Sequence, residues 1–469
     1  MTELWRRSAL ELADAIRNGE TSSREVLDDL VTRVAKVNDR LNAIVALLGE
    51  EAEKAAAAAD QAVADGVELG PLHGVPITVK ENIDLAGWPT TQGVPALGDA
   101  VVTLDAPNVE RMRDAGAIPF ARTNLPDLGL RVHTDSSLHG LTRNPWNPGL
   151  TAGGSSGGEA SALAAGMSPL GLGNDLGGSL RNPAHCCGIA SLKPSTGVVP
   201  HASALPPEDP LIMFQLMAVE GPMARRVADV RAALLALAGA HPRDPLSLPV
   251  VLQSPRTGER FRVAVCTDPP GGTTDAGIAA GVRRAADALS DAGHEVVDAV
   301  PVTYARSIEL WAELLMPDIR GVRPIFDSVM GPDAKTFLDF AATEYPPIDT
   351  AAWGALFAER HGAAREWSSF FERWDVLLTP TWAQPAFPHG ADIVSLEAAR
   401  ATLDTMRPVL PANLLGLPAA VVPAGLADGM PVGAQLTGTR FADLVVLDVA
   451  QAIEDALGVL TPIDPVTAT

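Results

Sequence analysis

From residue 260 onward the chain switches repeatedly between two periods. FRVAVCTD has the apolar, β-branched texture of a strand, DAGIAAGVRRAADALSDAG repeats its apolar residues at helical spacing, and HEVVDAV is strand-like again. WDVLLTPTW, LPAAVVPAGL and PVGAQLTG read as further buried strands, and FADLVVLDVAQAIEDALG closes the chain as an amphipathic helix. Upstream, VPITVKE and AIPFARTN are strand-like. Residues 8–65 read as helical, with Ser22 and Glu25 forming a capping box ahead of VLDDLVTRVAKVNDRLNAIVALL and an Ala-rich helix from Glu50 to Asp65. Such alternation predicts an α/β fold, with helices covering a large, mixed but mostly parallel sheet on both faces. With 47% hydrophobic residues, no internal repeat and no Gly/Ser-rich or charged linker, the chain is expected to form one large domain over residues 1–469.

Charge and targeting features narrow the function. A net charge of −22 argues against a nucleic-acid or anionic-membrane partner, since phosphate binding needs basic surface. The start, MTELWRRSALEL, lacks an apolar run of secretory length, and the longest uncharged apolar stretch, Leu414 to Ala427, contains two prolines and falls short of the roughly 18–20 residues of a membrane helix. Cys186, Cys187 and Cys266 cannot build a disulfide framework in a chain of this size. A cytoplasmic protein is expected. Among 35 basic residues only Lys36, Lys54, Lys80, Lys193 and Lys335 are lysines, so each invites a question.

Glycine and proline become dense between residues 140 and 200, and the densest run is Thr151-AGGSSGGEASALAAG. A glycine-rich loop entering a helix often cradles phosphate, but the Gly-Lys-Ser/Thr ending of a P-loop is missing. Gly171, Gly173 and Gly177 miss dinucleotide-fingerprint spacing by one residue. Two overlapping Gly-x-Ser-x-Gly elbows centre on Ser155 and Ser156, yet NPWNPGLTA cannot supply the buried strand that an elbow follows. There is no HExxH, and His185 beside Cys186 and Cys187 is poorly spaced to share a metal ion with them, so no metal is expected. A second cluster, Asn174-DLGGSLRNPAHCCG, places Ser179 after two glycines, a run whose N–H groups can turn inward together as an oxyanion hole requires. In GVPITVKEN, strand alternation puts Ile77 and Val79 on one face and Thr78 and Lys80 on the other. A buried lysine loses its charge more readily and becomes a base, which arginine cannot do; alternatively Lys80 ends its strand in solvent.

GVPITVKEN, TRNPWNPGLTAGGSSGGEASALAAG, NDLGGSLRNPAHCCGIASLKPSTG and the C-terminal GLPAAVVPAGLADGMPVGAQLTG together resemble the amidase signature family in order, type and spacing. The resemblance covers roughly residues 70–200 and 375–460 and implies the amidase-signature fold, with a twisted sheet. It divides the domain into an N-terminal helical segment (1–65), a signature core (70–200), a variable substrate-shaping region (201–374) and C-terminal strands and helix (375–469). It implies a Ser-Ser-Lys triad of nucleophile Ser179, bridging Ser155 after a cis peptide bond at Gly154–Ser155, and neutral base Lys80. The oxyanion hole would be the N–H groups of Leu176, Gly177, Gly178 and Ser179. Gly154, Ser156, Asp175 and Arg181 would support the two loops, and Gly129, Leu130 and Arg131 would border the substrate carbonyl.

The implied reaction is cofactor-free hydrolysis of small-molecule carboxamides through an acyl-enzyme, with anilides, esters or carbamates (urethanes) as further substrates. The protein would act as a monomer or homodimer. Residue 174 departs from the family pattern, being Asn where many relatives carry a small hydroxyl side chain. Arg131 would meet a polar or anionic substrate group or else face solvent. HASALPPEDPLIMFQLMAV (201–219) and the region from Trp311 to Phe340 would supply pocket wall or core. The alternatives are the catalytic subunit of a glutamine-dependent tRNA amidotransferase, sharing the triad, and a non-catalytic binding relative.

Overall fold

The computed structural model describes residues 3–253 and 258–467. Its strands are β1 (Ile44–Leu47), β2 (Pro76–Lys80), β3 (Ile118–Thr123), β4 (Asp135–Ser136), β5 (Gly140–Leu141), β6 (Leu170–Asp175), β7 (Ala190–Lys193), β8 (Val219–Ala224), β9 (Arg262–Val265), β10 (Glu295–Asp298), β11 (Val376–Pro380), β12 (Ala419–Ala427) and β13 (Met430–Gly438). Eleven of them form one mixed sheet in the order β1-β3-β2-β6-β8-β7-β12-β13-β11-β9-β10, while β4 and β5 pair apart from it. Parallel pairs lie in two runs, β3-β2-β6 and β11-β9-β10. Between them the ladder is antiparallel, and β1 is antiparallel to β3. The antiparallel middle turns on the β12–β13 hairpin, whose two-residue turn, Asp428 (φ 48°) and Gly429 (φ 78°), has the positive dihedrals that match strand twist.

Strand alternation sorts the sheet into two chemistries. One face sends Ile77, Val79, Leu170, Leu172, Val263, Val265, Ala420, Val422, Ala434 and Leu436 into the largest apolar core, under the helices Val227–Leu237, Ala276–Asp291 and Asp443–Leu457. The other carries Thr78, Lys80, Asp175 and Gln435, beneath the short helices Gly157–Ala164 and Arg181–Cys187. Because β2 and β6 are parallel, their carboxyl ends open at one edge, where ligand sites of α/β sheets lie.

The N-terminal helices differ from expectation at one point. The capping box at Ser22 and Glu25 forms, but the helix Ser23–Leu41 stops before AIVALL. Asn42 takes a left-handed conformation, and Asn38 Oδ1 accepts from the amides of Ala43 and Ile44, turning the chain out of the helix. Residues 44–47 then add to the sheet edge as β1. The Gly171-Leu-Gly173 run is also a strand, β6. A Cβ on Gly171 would meet the Glu159 carboxylate, and one on Gly173 would meet Ser156 Oγ and Leu180, so glycine here makes room for the helix above the sheet.

Gly158 shows how closely that helix is seated. An added Cβ would lie 2.4 Å from the Asn124 nitrogen and 2.5 Å from its oxygen, both backbone atoms that cannot swing away. Gly158→Ala is therefore expected to destabilise the protein by about 3 kcal/mol, measured as a lower guanidinium unfolding midpoint. A wild-type midpoint would show that the helix is not packed on residue 124 as described.

Candidate active site

Lys80 ends β2 with no solvent exposure. Its Nζ lies 2.7 Å from Ser155 Oγ and 2.6 Å from Asn174 Oδ1. Burial lowers the Lys80 pKa to about 7 against the opposing charges of Asp175, Glu220 and Glu159, so the amine is available as a base at neutral pH. Glu159, from the helix Gly157–Ala164, accepts hydrogen bonds from Thr78 Oγ1 and, at 2.8 Å, from Thr123 Oγ1. Burial raises this carboxyl to about 7, opposed by those two hydroxyls and by Lys80.

Ser155 follows a cis peptide bond from Gly154 and is 2% exposed. A Cβ on Gly154 would fall 2.5 Å from the Val132 carbonyl carbon and 2.6 Å from the His133 nitrogen, so the backbone of residues 131–133 lies directly against this turn. Ser156 donates its amide to the Ser179 carbonyl at 3.2 Å, tying the two serine loops together.

Ser179 sits on the loop that leaves β6, and Asp175 organises that loop. Its carboxylate accepts from the amides of Gly178 (2.7 Å) and Leu180 (3.1 Å), from Arg181 Nε and Nη2 (both 2.9 Å) and from Asn413 Nδ2 (2.9 Å). Arg181 spends its remaining donors on Gln435 Oε1 and the Val409 carbonyl, both at 2.8 Å, and on Asn413 Oδ1. Both partners are fully buried. Burial opposes ionisation of Asp175, but the Arg181 charge and hydrogen bonds outweigh it and hold the carboxyl far below the usual range.

Most residues singled out in the sequence meet here. Lys80 and Ser155 are in contact, and Ser179 is half-buried on the loop joined to Ser156 through its carbonyl, its hydroxyl unbonded among the described residues. The amides of Leu176, Gly177 and Ser179 find no acceptor within the described protein, whereas that of Gly178 is committed to Asp175, which removes it from the expected oxyanion donors. A Cβ on Gly129 (φ 67°) would lie 3.4 Å from Ser155 Oγ, so this glycine borders the site. Leu130 packs into the apolar wall. Arg131 does not face solvent: it is buried and makes a bidentate pair with Asp392 at 2.6 and 2.9 Å through Nε and Nη2.

In the 201–219 segment, Met213 and Met217 are core residues. Trp311 closes the nucleophile loop from the other side, its Nε1 donating to the Leu176 carbonyl at 2.9 Å and its ring 2.6 Å from where a Gly177 Cβ would be. Val409 and Trp382 bracket Gly178 in the same way.

Glu159, Asn82, Asn413 and Gln435 also belong to the site and were missed in the sequence. Only Gly171, small where Glu159 needs space, carried a local trace of any of them. Among the described residues no group of three or more His, Cys, Asp or Glu side chains could hold a metal ion. The buried thiols of Cys186 and Cys187 are pushed up by desolvation, and His185 is pulled down to about 4 by burial.

A model of the Amidase family matches residues 25–447. The chain is 40% identical over 474 residues to an indoleacetamide hydrolase of Bradyrhizobium diazoefficiens, covering 97% of this chain and 88% of that protein. It is 32% identical to one component of the glutamyl-tRNA(Gln) amidotransferase of Salinispora arenicola, over 98% of this chain and 99% of that one. A solved structure of 6-aminohexanoate cyclic dimer hydrolase complexed with substrate superposes with a TM-score of 0.83 at 29% identity, covering 97% of this chain and 98% of that one.

The Asp175–Arg181 pair gives a direct test of how the nucleophile loop is held. Asp175→Asn leaves the Arg181 charge buried without its counter-ion and is expected to cost about 3–5 kcal/mol of unfolding free energy. Adding Arg181→Met should recover part of that loss, because the uncompensated charge is gone. Strictly additive losses in denaturant unfolding would contradict the pairing.

Proposed function

The chain belongs to the amidase family and is a hydrolase of amide C–N bonds, and we propose that it works through an acyl-enzyme on Ser179 with Ser155 and Lys80 as its proton relay. The observation that carries this reading is the fully buried Lys80 amine 2.7 Å from Ser155 Oγ, beside the loop that presents Ser179. Ser179 Oγ attacks the carbonyl carbon, its proton passes to Ser155 Oγ, and the Ser155 proton passes to Lys80 Nζ. The uncommitted amides of Leu176, Gly177 and Ser179 receive the oxyanion. As the tetrahedral intermediate collapses, the C–N bond breaks and the relay returns the proton to the leaving nitrogen. Water then gives a proton to the same relay as its oxygen bonds to the acyl carbon, the bond from that carbon to Ser179 Oγ breaks, and the relay returns the proton to Ser179 as the acid leaves. Among the described residues the Ser179 and Ser155 hydroxyls are not bonded to each other, so this step of the relay forms when substrate is bound.

Leu130, Trp311, Trp382 and Val409 form an apolar cluster in which Trp311, Trp382 and Val409 pack against the nucleophile loop, and two of the four are aromatic, which suits an aryl or indolyl acyl group. Substrates of the class named for the Bradyrhizobium relative, arylacetamides, come first, with anilides, esters and carbamates behind them. The amidotransferase alternative carries weaker similarity, 32% against 40% identity. We further propose that the protein acts in the cytoplasm as a monomer or homodimer on small molecules, without nucleic acid or membrane. Among the described residues no helix is long and apolar enough to cross a membrane.

Purified chain alone is expected to hydrolyse indole-3-acetamide, and Ser179→Ala to reduce turnover by at least a thousandfold. Turnover only with added partner proteins would favour the amidotransferase reading. Only the unprotonated amine can accept a proton, so kcat/KM should rise with pH through about 7 and be lost below it. Lys80→Ala should abolish that limb together with most activity at neutral pH. A flat wild-type profile between pH 5 and 8 would remove Lys80 from the role of base.

A further inference from the structure

We propose that Asn174, held in place by Asn82, is a positioning residue that aims the lone pair of the Lys80 amine at Ser155. This rests on the reading of Lys80 as the base. A neutral amine carries two N–H bonds and one lone pair, and each must go somewhere. A carboxamide oxygen can only accept, so Asn174 Oδ1, 2.6 Å from Nζ, takes an N–H and cannot engage the lone pair. The other contact of Nζ is Ser155 Oγ at 2.7 Å; with Asn174 holding one N–H and the second N–H turned away, the lone pair meets the Ser155 O–H, the direction the relay needs.

What keeps the Asn174 oxygen, and not its NH2, toward the lysine is Asn82. Asn174 Nδ2 donates to Asn82 Oδ1 at 2.9 Å. Turning the Asn174 amide over would set two oxygens against each other at Asn82 and would point an N–H donor into the lone pair of Lys80. Packing gives no competing reason for this arrangement, because both asparagines are only half-buried and could be satisfied by water. The placement follows from the fold. Lys80 and Asn82 leave the carboxyl end of β2, and Asn174 lies at the carboxyl end of β6, its parallel neighbour. The charged groups facing the amine from the surrounding elements are Asp175 on β6, Glu220 on β8 and Glu159 on the helix Gly157–Ala164.

The test reads nucleophile activation with an alkyl fluorophosphonate, which needs no knowledge of the natural substrate. Ser179 Oγ forms a bond to phosphorus, the P–F bond breaks, fluoride leaves, and the serine proton passes through Ser155 to Lys80. Second-order labelling rates would be measured against pH for the full-length protein, with the adduct located by intact mass and peptide mapping. Asn174→Leu, of similar volume, is expected to lower the rate at the high-pH plateau at least tenfold. Asn82→Leu should reproduce several-fold of that loss, and the double variant should be no slower than Asn174→Leu alone. Asn174→Asp, which keeps shape and acceptor but adds charge beside the ammonium, should move the acid limb up by at least one pH unit, a shift that a purely structural role would not produce.

The inference is overturned if Asn174→Leu stays within twofold of wild type with its limb unmoved, or if the Asn82 and Asn174 losses multiply. Should Asn174→Leu fail to fold, an unmoved limb in Asn174→Asp overturns it equally. If wild-type protein is not labelled at Ser179, the underlying reading fails and the inference with it. Labelling of Ser179 that depends on Lys80 but ignores both asparagines sinks the inference alone.

Discussion

An amine with no exposure to water is the constraint around which this molecule is arranged. Desolvation makes the charged form of Lys80 costly, and the neutral form then needs an acceptor for an N–H and a donor for its lone pair. Ser155 and Asn174 are those partners. Burial alone does not make a base, as Lys193 demonstrates. It is equally buried, and burial together with the nearby Arg181 charge also brings it down to about 7, yet its Nζ donates to the carbonyl of Pro194 and bonds no hydroxyl among the described residues. What distinguishes Lys80 is the pairing of a desolvated amine with a serine hydroxyl.

The two-faced sheet makes that pairing possible. Its apolar face fixes the strands, so the other face can carry polar groups whose positions are set by strand register and not by their own packing. Two serine loops then approach from the carboxyl ends of the strands. One is seated through glycines that let the backbone of residues 131–133 reach the Ser155 turn, and the other through the buried Asp175–Arg181 pair. In the second loop a carboxylate consumes the Gly178 amide, while the amides of Leu176, Gly177 and Ser179 have no acceptor within the described protein, so the pair that holds the loop also sets which of its N–H groups are left unpaired.

Period and motif made much of this readable in advance. Alternation in PITVK located Lys80 on the correct face, and the glycine-serine clusters located both serines. Elements with long apolar runs, such as β11, β12 and β13, stood out because buried strands leave a continuous signal. The failures share a physical origin: they depend on contacts between residues far apart in sequence. β6 hid behind two glycines whose purpose is set by a helix above them, and β1 behind an asparagine cap that interrupts an otherwise helical pattern. Arg131 offered no way of knowing that Asp392 would neutralise it, and the roles of Asn413 and Gln435 around Arg181 exist only once the chain has closed.

The central claim is that Ser179 forms the covalent bond to substrate. Rapid acid quench of the wild-type protein during turnover of indole-3-acetamide, followed by intact mass and peptide mapping, tests it directly. The account predicts an indole-3-acetyl adduct on the peptide containing Ser179. Steady turnover with the acyl group on Ser155 or Ser156 instead would contradict it.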